Sequence, residues 1–500
     1  MAAGALAGIV AVLAPYAARA QAPARPSGAV ADTLPLALEA AVQLATGRGE
    51  QVRLARIQVD IAETQVASAR AERFPQLAAT LGYQRTLRSP YAGGLSGLNI
   101  PRYAPDTTAS LAQRVRYLEQ NAPTAPFSGI GSLAGGLGLG VPNTYGVEVT
   151  GSQTLFSGGR TAAGVRAAEA GRRAAAFTLV EQTADAEQQV RTAYYQASLA
   201  RDLAAIADSS YAQADWFLTY ERQLRSAGRA ADLDVLKAEV SRDNLRPQQV
   251  QARNQRDVAL LTLKQLTHIP LAQSLRLTTP LEVAPAGGAA ADDADVAPAV
   301  LTAQRSAVRA AASQVAAAEQ QLRAARGARL PSVAVQSSFA PTWYAGDVFG
   351  NVSAPRTNWT VGFAVQVPLF QGGRLLADVR QAEAQQEQSR LQLSQLERAV
   401  QVQYEQARLE QARARAEIAV RRRTVDQARR AYDLTLLRFE QGASTQLDVT
   451  SARADLLQAR TNLAQAAADY ATAGAAVARA LAGVSAPPPP AVPSAAPPPR

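Results

Sequence analysis

The stretch that most constrains this chain is W-T-V-G-F-A-V-Q-V-P-L-F-Q-G-G-R, from Trp359 to Arg374. Trp359, Val361, Phe363, Val365, Val367 and Leu369 fall on one face, and Thr360, Gly362, Ala364 and Gln366 on the other. A period of two predicts a strand with one apolar face and one small or polar face. Beyond Gly372 and Gly373 run about 70 residues rich in Ala, Gln, Leu, Arg and Glu without a proline. The strand therefore feeds a very long helix through a joint where glycine supplies backbone angles that other residues avoid.

The same pattern occurs earlier, at Tyr145 to Arg160, Y-G-V-E-V-T-G-S-Q-T-L-F-S-G-G-R. Gly158 and Gly372 stand 214 positions apart, as do Gly228 and Gly442, and Asp234 and Asp448. A constant offset means that two halves share one architecture, and such a repeat governs every later assignment. Upstream, Phe74-Pro75 followed by alternating Leu77, Ala79, Leu81 and Tyr83 matches Leu330-Pro331 followed by Val333, Val335, Ser337 and Phe339, at an offset of 256. The first half holds the 42 extra residues in a Gly-, Pro- and Ser-rich insertion around Arg88 to Val141, which reads as a long loop; its counterpart, near Pro341 to Asn358, is short.

Each half reads as helix, strand, loop, strand, very long helix, turn, long helix. The first repeat spans 36–270, with strands at about 75–86 and 143–156 and a tip near 228; a linker covers 271–298; the second repeat spans 299–484, with strands at about 331–341 and 357–370 and a tip near 442. The long helices, about Gly159–Ala227 and Gly373–Gln441, would extend on the order of 100 Å at 1.5 Å per residue. Sustained alanine permits the close helix approach of a coiled coil. A break is expected near Gly47-Arg48-Gly49, and Pro247 should kink or break its helix.

A chain of 500 residues usually makes several compact domains, but sparse aromatics and abundant alanine and glutamine argue for long helices instead. The net charge of +10 comes from arginines interleaved with acids, without a basic block or stacking platform, so no nucleic-acid partner is expected. There is no cysteine, hence no disulfide or thiolate metal site. Met1 to Ala20 reads as a secretory signal with its apolar run at Leu6–Leu13, and 21–35 as a tether; the Pro- and Ala-rich tail from 485 to 500 reads as disordered. No run of 18 apolar residues follows the signal, so any membrane crossing must use strands. Four strands of about ten residues have the length for that, yet about eight are needed to close a barrel, and an open edge in lipid is prohibitive. Two, three or four copies must then share one barrel; a soluble small sheet under the helices is the alternative.

These repeated features, Leu-Phe-x-Gly-Gly-Arg and the Gly-to-Asp-Val turn on two helix–strand–strand–helix halves, resemble the TolC-like outer membrane efflux proteins over about Leu34 to Gly483. The resemblance implies a mainly α fold with a membrane β-barrel: a homotrimer with a 12-stranded outer membrane barrel and a periplasmic α-helical tunnel. It implies partners too, a periplasmic adaptor and an inner membrane transporter, with no enzyme activity and no cofactor. Arg225, Gly228, Leu233, Gly442 and Leu447 resemble adaptor-docking positions at the tip, and Asp234 and Asp448 match acidic residues near the constriction that gates the tunnel. A carboxylate ring there would bind cations and narrow the pore. A second acidic ring falls on Ser451 here, and the tyrosine and arginine of the family latch fall on Phe439 and Ser444. The tip geometry therefore carries over, whereas the latch lacks the family's residue types at these three positions.

Other conspicuous residues carry little chemistry. His268, the sole histidine, has no second ligand at metal spacing. No catalytic or nucleotide-binding motif is present, and the Gly-rich run around Ser132 lacks a phosphate-binding lysine. Arg421 to Arg423 fit a solvated helix face or a tunnel lining. Trp343, Tyr344 and Trp359 suit either an interfacial aromatic belt or core packing. Asp234 and Asp448 equally suit N-terminal helix capping. The expected function is an exit duct for drugs or other small solutes. Type I protein secretion is the alternative within transport, and a periplasmic coiled-coil scaffold the alternative outside it.

Overall fold

The structure, a computed structural model, describes residues 33–88, 106–122, 141–281, 297–348, 352 and 354–484. The signal, most of the tether, the Gly-rich run around Ser132 and the tail lie outside these. The described elements are β1 (Leu34–Leu36), α1 (Leu38–Arg48), α2 (Glu50–Ala71), β2 (Gln76–Arg85), α3 (Leu111–Asn121), β3 (Asn143–Phe156), α4 (Arg160–Ser226), α5 (Asp232–Thr267), β4 (Leu275–Leu277), α6 (Pro298–Gln304), α7 (Ser306–Gly327), β5 (Ser332–Ala345), β6 (Arg356–Gln366), α8 (Arg374–Glu440) and α9 (Gln446–Ala480). Both α4 and α8 have 67 residues and begin 214 positions apart, as do α5 and α9.

Several elements differ from the reading of the sequence. The insertion contains a helix, α3, at whose start Gln113 Oε1 accepts from both the N–H and the hydroxyl of Ser110. Tether and linker contribute β1 and β4, which pair in parallel with Leu34 opposite Leu275. Pro247 does not break α5; it is exposed, so water can take up the carbonyl that its ring frees. β6 stops at Gln366, leaving Val367 and Leu369 outside the ladder beside Pro368, which has no N–H to give. In β3, where Thr154 occupies the corresponding place, pairing continues to Phe156 through a bulge.

The chain divides into two units by contact. One holds Met1–Gly49, Gln189–Ala286 and Ala414–Thr472. Leu36, Ala41, Val42, Tyr194, Ala197, Leu263 and Leu277 form its first core cluster, with Tyr194 Oη donating to Leu36 O and accepting from Thr279 N–H. Along α4 the buried Val190, Ala193, Tyr194, Ala197 and Ala204 recur at helical spacing, so one narrow stripe is covered. A second cluster joins Phe217, Leu218, Val235, Ala238 and Val449 to Tyr432, Leu436 and Phe439.

The other unit holds Glu50–Gln188, Gly287–Arg413 and Ala473–Arg500. It contains a four-stranded antiparallel sheet in the order β2-β3-β5-β6. A buried ionic cluster binds its helices: Arg305 and Arg479 share Glu181, and Arg479 also reaches Asp185. Burial pushes the Arg305 guanidinium down, while burial is outweighed at Arg479 by its bonds to Asp185 and Glu181, which raise it.

Candidate functional site

The register of the sheet sorts its side chains cleanly. Residues directly opposite one another share a face. Leu77, Ala79, Leu81 and Tyr83 therefore join Tyr145 and Val149, then Phe339 and Trp343, then Trp359, Val361 and Phe363. The other face carries Ala78, Thr80, Thr144, Thr150, Ser338, Thr342, Thr360 and Gly362. Large apolar side chains of β2 and β6, among them Leu77, Leu81, Trp359 and Phe363, are exposed. β2 and β6 are also the edges of the sheet, each with an unpaired row of backbone groups.

Near the loop end of the apolar face, Tyr83 and Tyr145 rings lie 5.0 Å apart and Tyr145 is registered with Trp343. Tyr83 Oη donates to Asn143 Oδ1 at 2.9 Å, and Asn143, itself buried, donates to Ala345 O and Gly346 O. Of the three expected belt residues, Trp343 belongs to this row. Trp359 shares its face but stands opposite Phe339 and donates to Ser337 Oγ. Tyr344 points to the opposite face, since it pairs with Thr144. Sequence reading missed Tyr83 and Tyr145 as ring partners; their alternation with Trp343 was visible, but the register that aligns them was not.

At the strand–helix joints, Gly158 and Gly159 have φ of 63° and 82°, and Gly372 and Gly373 have 60° and 84°. In both, the helix begins with Arg160 or Arg374 N–H bonded to the carbonyl three residues back, at 3.1 Å.

The tips are also repeated. Gly228 (φ 71°) and Gly442 (φ 75°) end α4 and α8 in the same motif: Arg229 N–H to Leu224 O and Gly228 N–H to Arg225 O, against Ala443 N–H to Arg438 O and Gly442 N–H to Phe439 O. The aspartates that follow cap the return helices. Asp234 accepts from Ala231 N–H at 3.3 Å. Asp448 accepts from Thr445 N–H (2.8 Å), Thr445 Oγ1 (2.7 Å) and Ser444 Oγ (3.2 Å). The Thr445 hydroxyl, then its N–H, hold the Asp448 carboxyl below the usual carboxylate range. Gln446 Nε2 donates to Asp234 O, tying one tip to the other.

The remaining predicted tip residues divide in two. Arg225, Leu233, Leu447 and Ser451 are exposed, and Arg225 pairs with Asp232. Phe439 turns inward, its ring 5.4 Å from Phe217 and 6.5 Å from Tyr220. His268 caps the end of α5 in the left-handed conformation, φ 55°. Glu221 was not singled out in the sequence. It is 2% exposed, with one carboxylate oxygen lacking a partner; burial, then the charge of Asp234, pushes its carboxyl up. Nothing in a helical E-R-Q-L string announces that.

The chain matches the family of outer membrane efflux proteins over residues 41–267 and 298–483. It is 26% identical over 312 residues to the outer membrane efflux protein BepC of Brucella suis, covering 62% of this chain and 65% of that relative's length. Among solved structures it is similar to the CmeC outer membrane channel of Campylobacter jejuni (TM-score 0.67, 16% identity, 89% of this chain and 85% of the other). It is likewise similar to the open state of the MtrE outer membrane channel of Neisseria gonorrhoeae (TM-score 0.68, 19% identity, 89% of each). At these identities the likeness concerns the fold.

Proposed function

The chain belongs to the outer membrane efflux protein family, and on that footing we propose that it is the exit duct of a tripartite efflux system for drugs or other small solutes. The observation that carries this reading is the sheet: four strands, one exposed apolar face, one small or polar face, and two unpaired edges. Such a sheet suits lipid outside and water inside once its edges are closed. The repeat supplies the closing rule. Within the chain the second strand of the first repeat, β3, pairs with the first strand of the second, β5. Carried over the offsets of 214 and 256, the same pairing sets β6 of one copy against β2 of the next, with Phe363 facing Tyr83 as Val149 faces Phe339. Three copies make a 12-stranded homotrimeric barrel in outer membrane lipid.

The protein supplies a conduit, and the energy for export comes from an inner membrane transporter reached through a periplasmic adaptor. The exposed Leu233 and Leu447, with Arg225 beside the Gly228 and Gly442 turns, offer the adaptor an apolar contact at the tip. The exposed Asp448, held anionic, and Asp234 line the constriction. Capping and ring formation use different oxygens and coexist. Ser451, Ser444 and Phe439 take no part in a latch of the family kind, because Ser444 serves the cap and Phe439 is packed. Against a periplasmic scaffold stand the family and the apolar face.

The test is to reconstitute the purified protein in planar bilayers and to express it in a strain whose export depends on it. Wild type should conduct and restore export; Gly442→Pro should still reach the outer membrane and conduct, yet restore no export, because it alters one tip turn. A wild-type protein that forms no channel would overturn the duct, and full export by the variant would remove the docking role of the tip.

A further inference from the structure

Among the described residues the buried arginines are matched by carboxylates, with one exception. Arg305 and Arg479 have Glu181 and Asp185, and the half-buried Arg242 has Asp215 and Asp243. Arg453, on α9, is 7% exposed, and among the described residues no carboxylate lies within 4.0 Å of its guanidinium. Its hydrogen bond is to Ser241 Oγ at 2.6 Å, and its charged surroundings amount to the phenol of Tyr432, which burial keeps neutral. The repeat sharpens the contrast: 214 positions earlier stands Glu239, which lies 3.6 Å from Arg222. A buried cation without a counter-charge is unfavourable, because the low-dielectric interior does not replace the water it has lost.

The guanidinium borders a cavity of about 190 Å³ between α4, α5 and α9, which Ser210, Ser241, Asn244 and Thr450 also line. At roughly 30 Å³ per water it has room for several solvent molecules or one small ion. Ser241, Asn244 and Thr450 are shared with a neighbouring cavity of about 400 Å³, which Lys237 lines. The lining thus combines one buried cation, a second cation at the approach and hydrogen-bonding groups from three helices, with no acid.

We propose that this cavity is a binding site for a small oxyanion, inorganic phosphate or a short carboxylate, held by Arg453, by the amide of Asn244 and by the hydroxyls of Ser210 and Ser241. Donors placed on three sides call for several acceptor oxygens, and a guanidinium fork fits two of them at once. The bound ion would join α4 and α5 of the first repeat to α9 of the second. This site stands apart from the duct reading and is tested without transport.

The full-length protein in detergent is titrated with inorganic phosphate by calorimetry, at constant ionic strength set with chloride. Wild type should bind one phosphate per chain, and its melting temperature should rise saturably. Arg453→Gln should weaken binding at least about tenfold, while Arg453→Lys retains part of it. Asn244→Asp, which installs a carboxylate beside the guanidinium, should abolish phosphate binding and raise the melting temperature in phosphate-free buffer. That variant carries the test if Arg453→Gln fails to fold. Absence of saturable binding in wild type, or binding unchanged in Asn244→Asp, would overturn the site.

Discussion

At the first strand–helix joint Gly158 lies against the end of α7, where a Cβ would stand 2.4 Å from Gly327 O and 2.8 Å from Leu330 Cβ. At the second joint a Cβ on Gly372 would meet nothing within 4 Å, although the two segments are spelled almost alike. The preceding pairs differ in the same sense: Leu155 and Phe156 are 55% and 50% exposed, Leu369 and Phe370 92% and 88%. The first joint is covered by the second repeat of its own chain. The second has the same groups and no cover, and its equivalents of Gly327 and Leu330, namely Ala71 and Phe74, stand at the other end of the sheet order beside β2. A repeat that covers itself once and leaves its twin bare is the arrangement that the proposed shared barrel would complete with another copy.

Disulfide trapping gives the largest effect by which to break this comparison. The chain has no cysteine, so Tyr83→Cys with Phe363→Cys is a clean pair. Oxidation should convert most of the outer membrane protein into a species three chains in mass on denaturing gels, whereas either single variant stays monomeric. A doubly substituted protein that does not cross-link would break the rule that carries β3–β5 pairing onto β6–β2.

Smaller, and sharper as a contrast, is alanine at the two joints. Gly158→Ala combines a positive φ with a backbone clash and should cost about 3–5 kcal/mol. Gly372→Ala, with strain alone, should cost about 1–2 kcal/mol in a single chain. In the assembled protein the two losses should converge, if Gly372 acquires the neighbour that Gly158 already has. Denaturation in detergent, above and below the trimer dissociation point, reads the difference.

The smallest effect contrasts the tips through pH. Glu221, behind the first tip, has a raised carboxyl, so its contribution is fully present below the ordinary glutamate value and is lost as pH rises through the folded one. Asp448, at the second, has a lowered carboxyl, so its contribution is present above the ordinary aspartate value and is lost as pH falls through the folded one. Acid should therefore steady the first tip and loosen the second. Protection factors, referred to the intrinsic exchange rate at each pH, should rise around Leu224–Val235 as pH falls towards the ordinary glutamate range, and should fall around Gln441–Val449 only below the ordinary aspartate value. Glu221→Gln should remove the first trend and leave the second. Parallel behaviour of both tips would show that neither carboxyl acts as placed.

Much of this architecture was legible because it depends on short-range rules. Alternation gave the strands, the Gly-Gly joints and tip glycines gave the turns, and one offset gave both repeats, since left-handed backbone positions are written into the sequence as glycine. The capping role of Asp448 was legible for the same reason: donor and acceptor lie within four residues. What escaped depended on distance along the chain. The helix in the insertion, the β1–β4 pair and the continuity of α5 through Pro247 all needed neighbours or solvent that no local pattern names.

By itself, then, the sequence determined the two-fold plan, the strand faces and the positions of the turns, because each follows from the periodicity and backbone limits of consecutive residues. Only the tertiary structure decided which strands adjoin, that Phe439 faces inward, that Glu221 is buried beside an aspartate and that Arg453 is buried without an acid. Those outcomes turn on desolvation and on partners brought in from other elements, and burial is a property of the assembled helices, not of any string of letters.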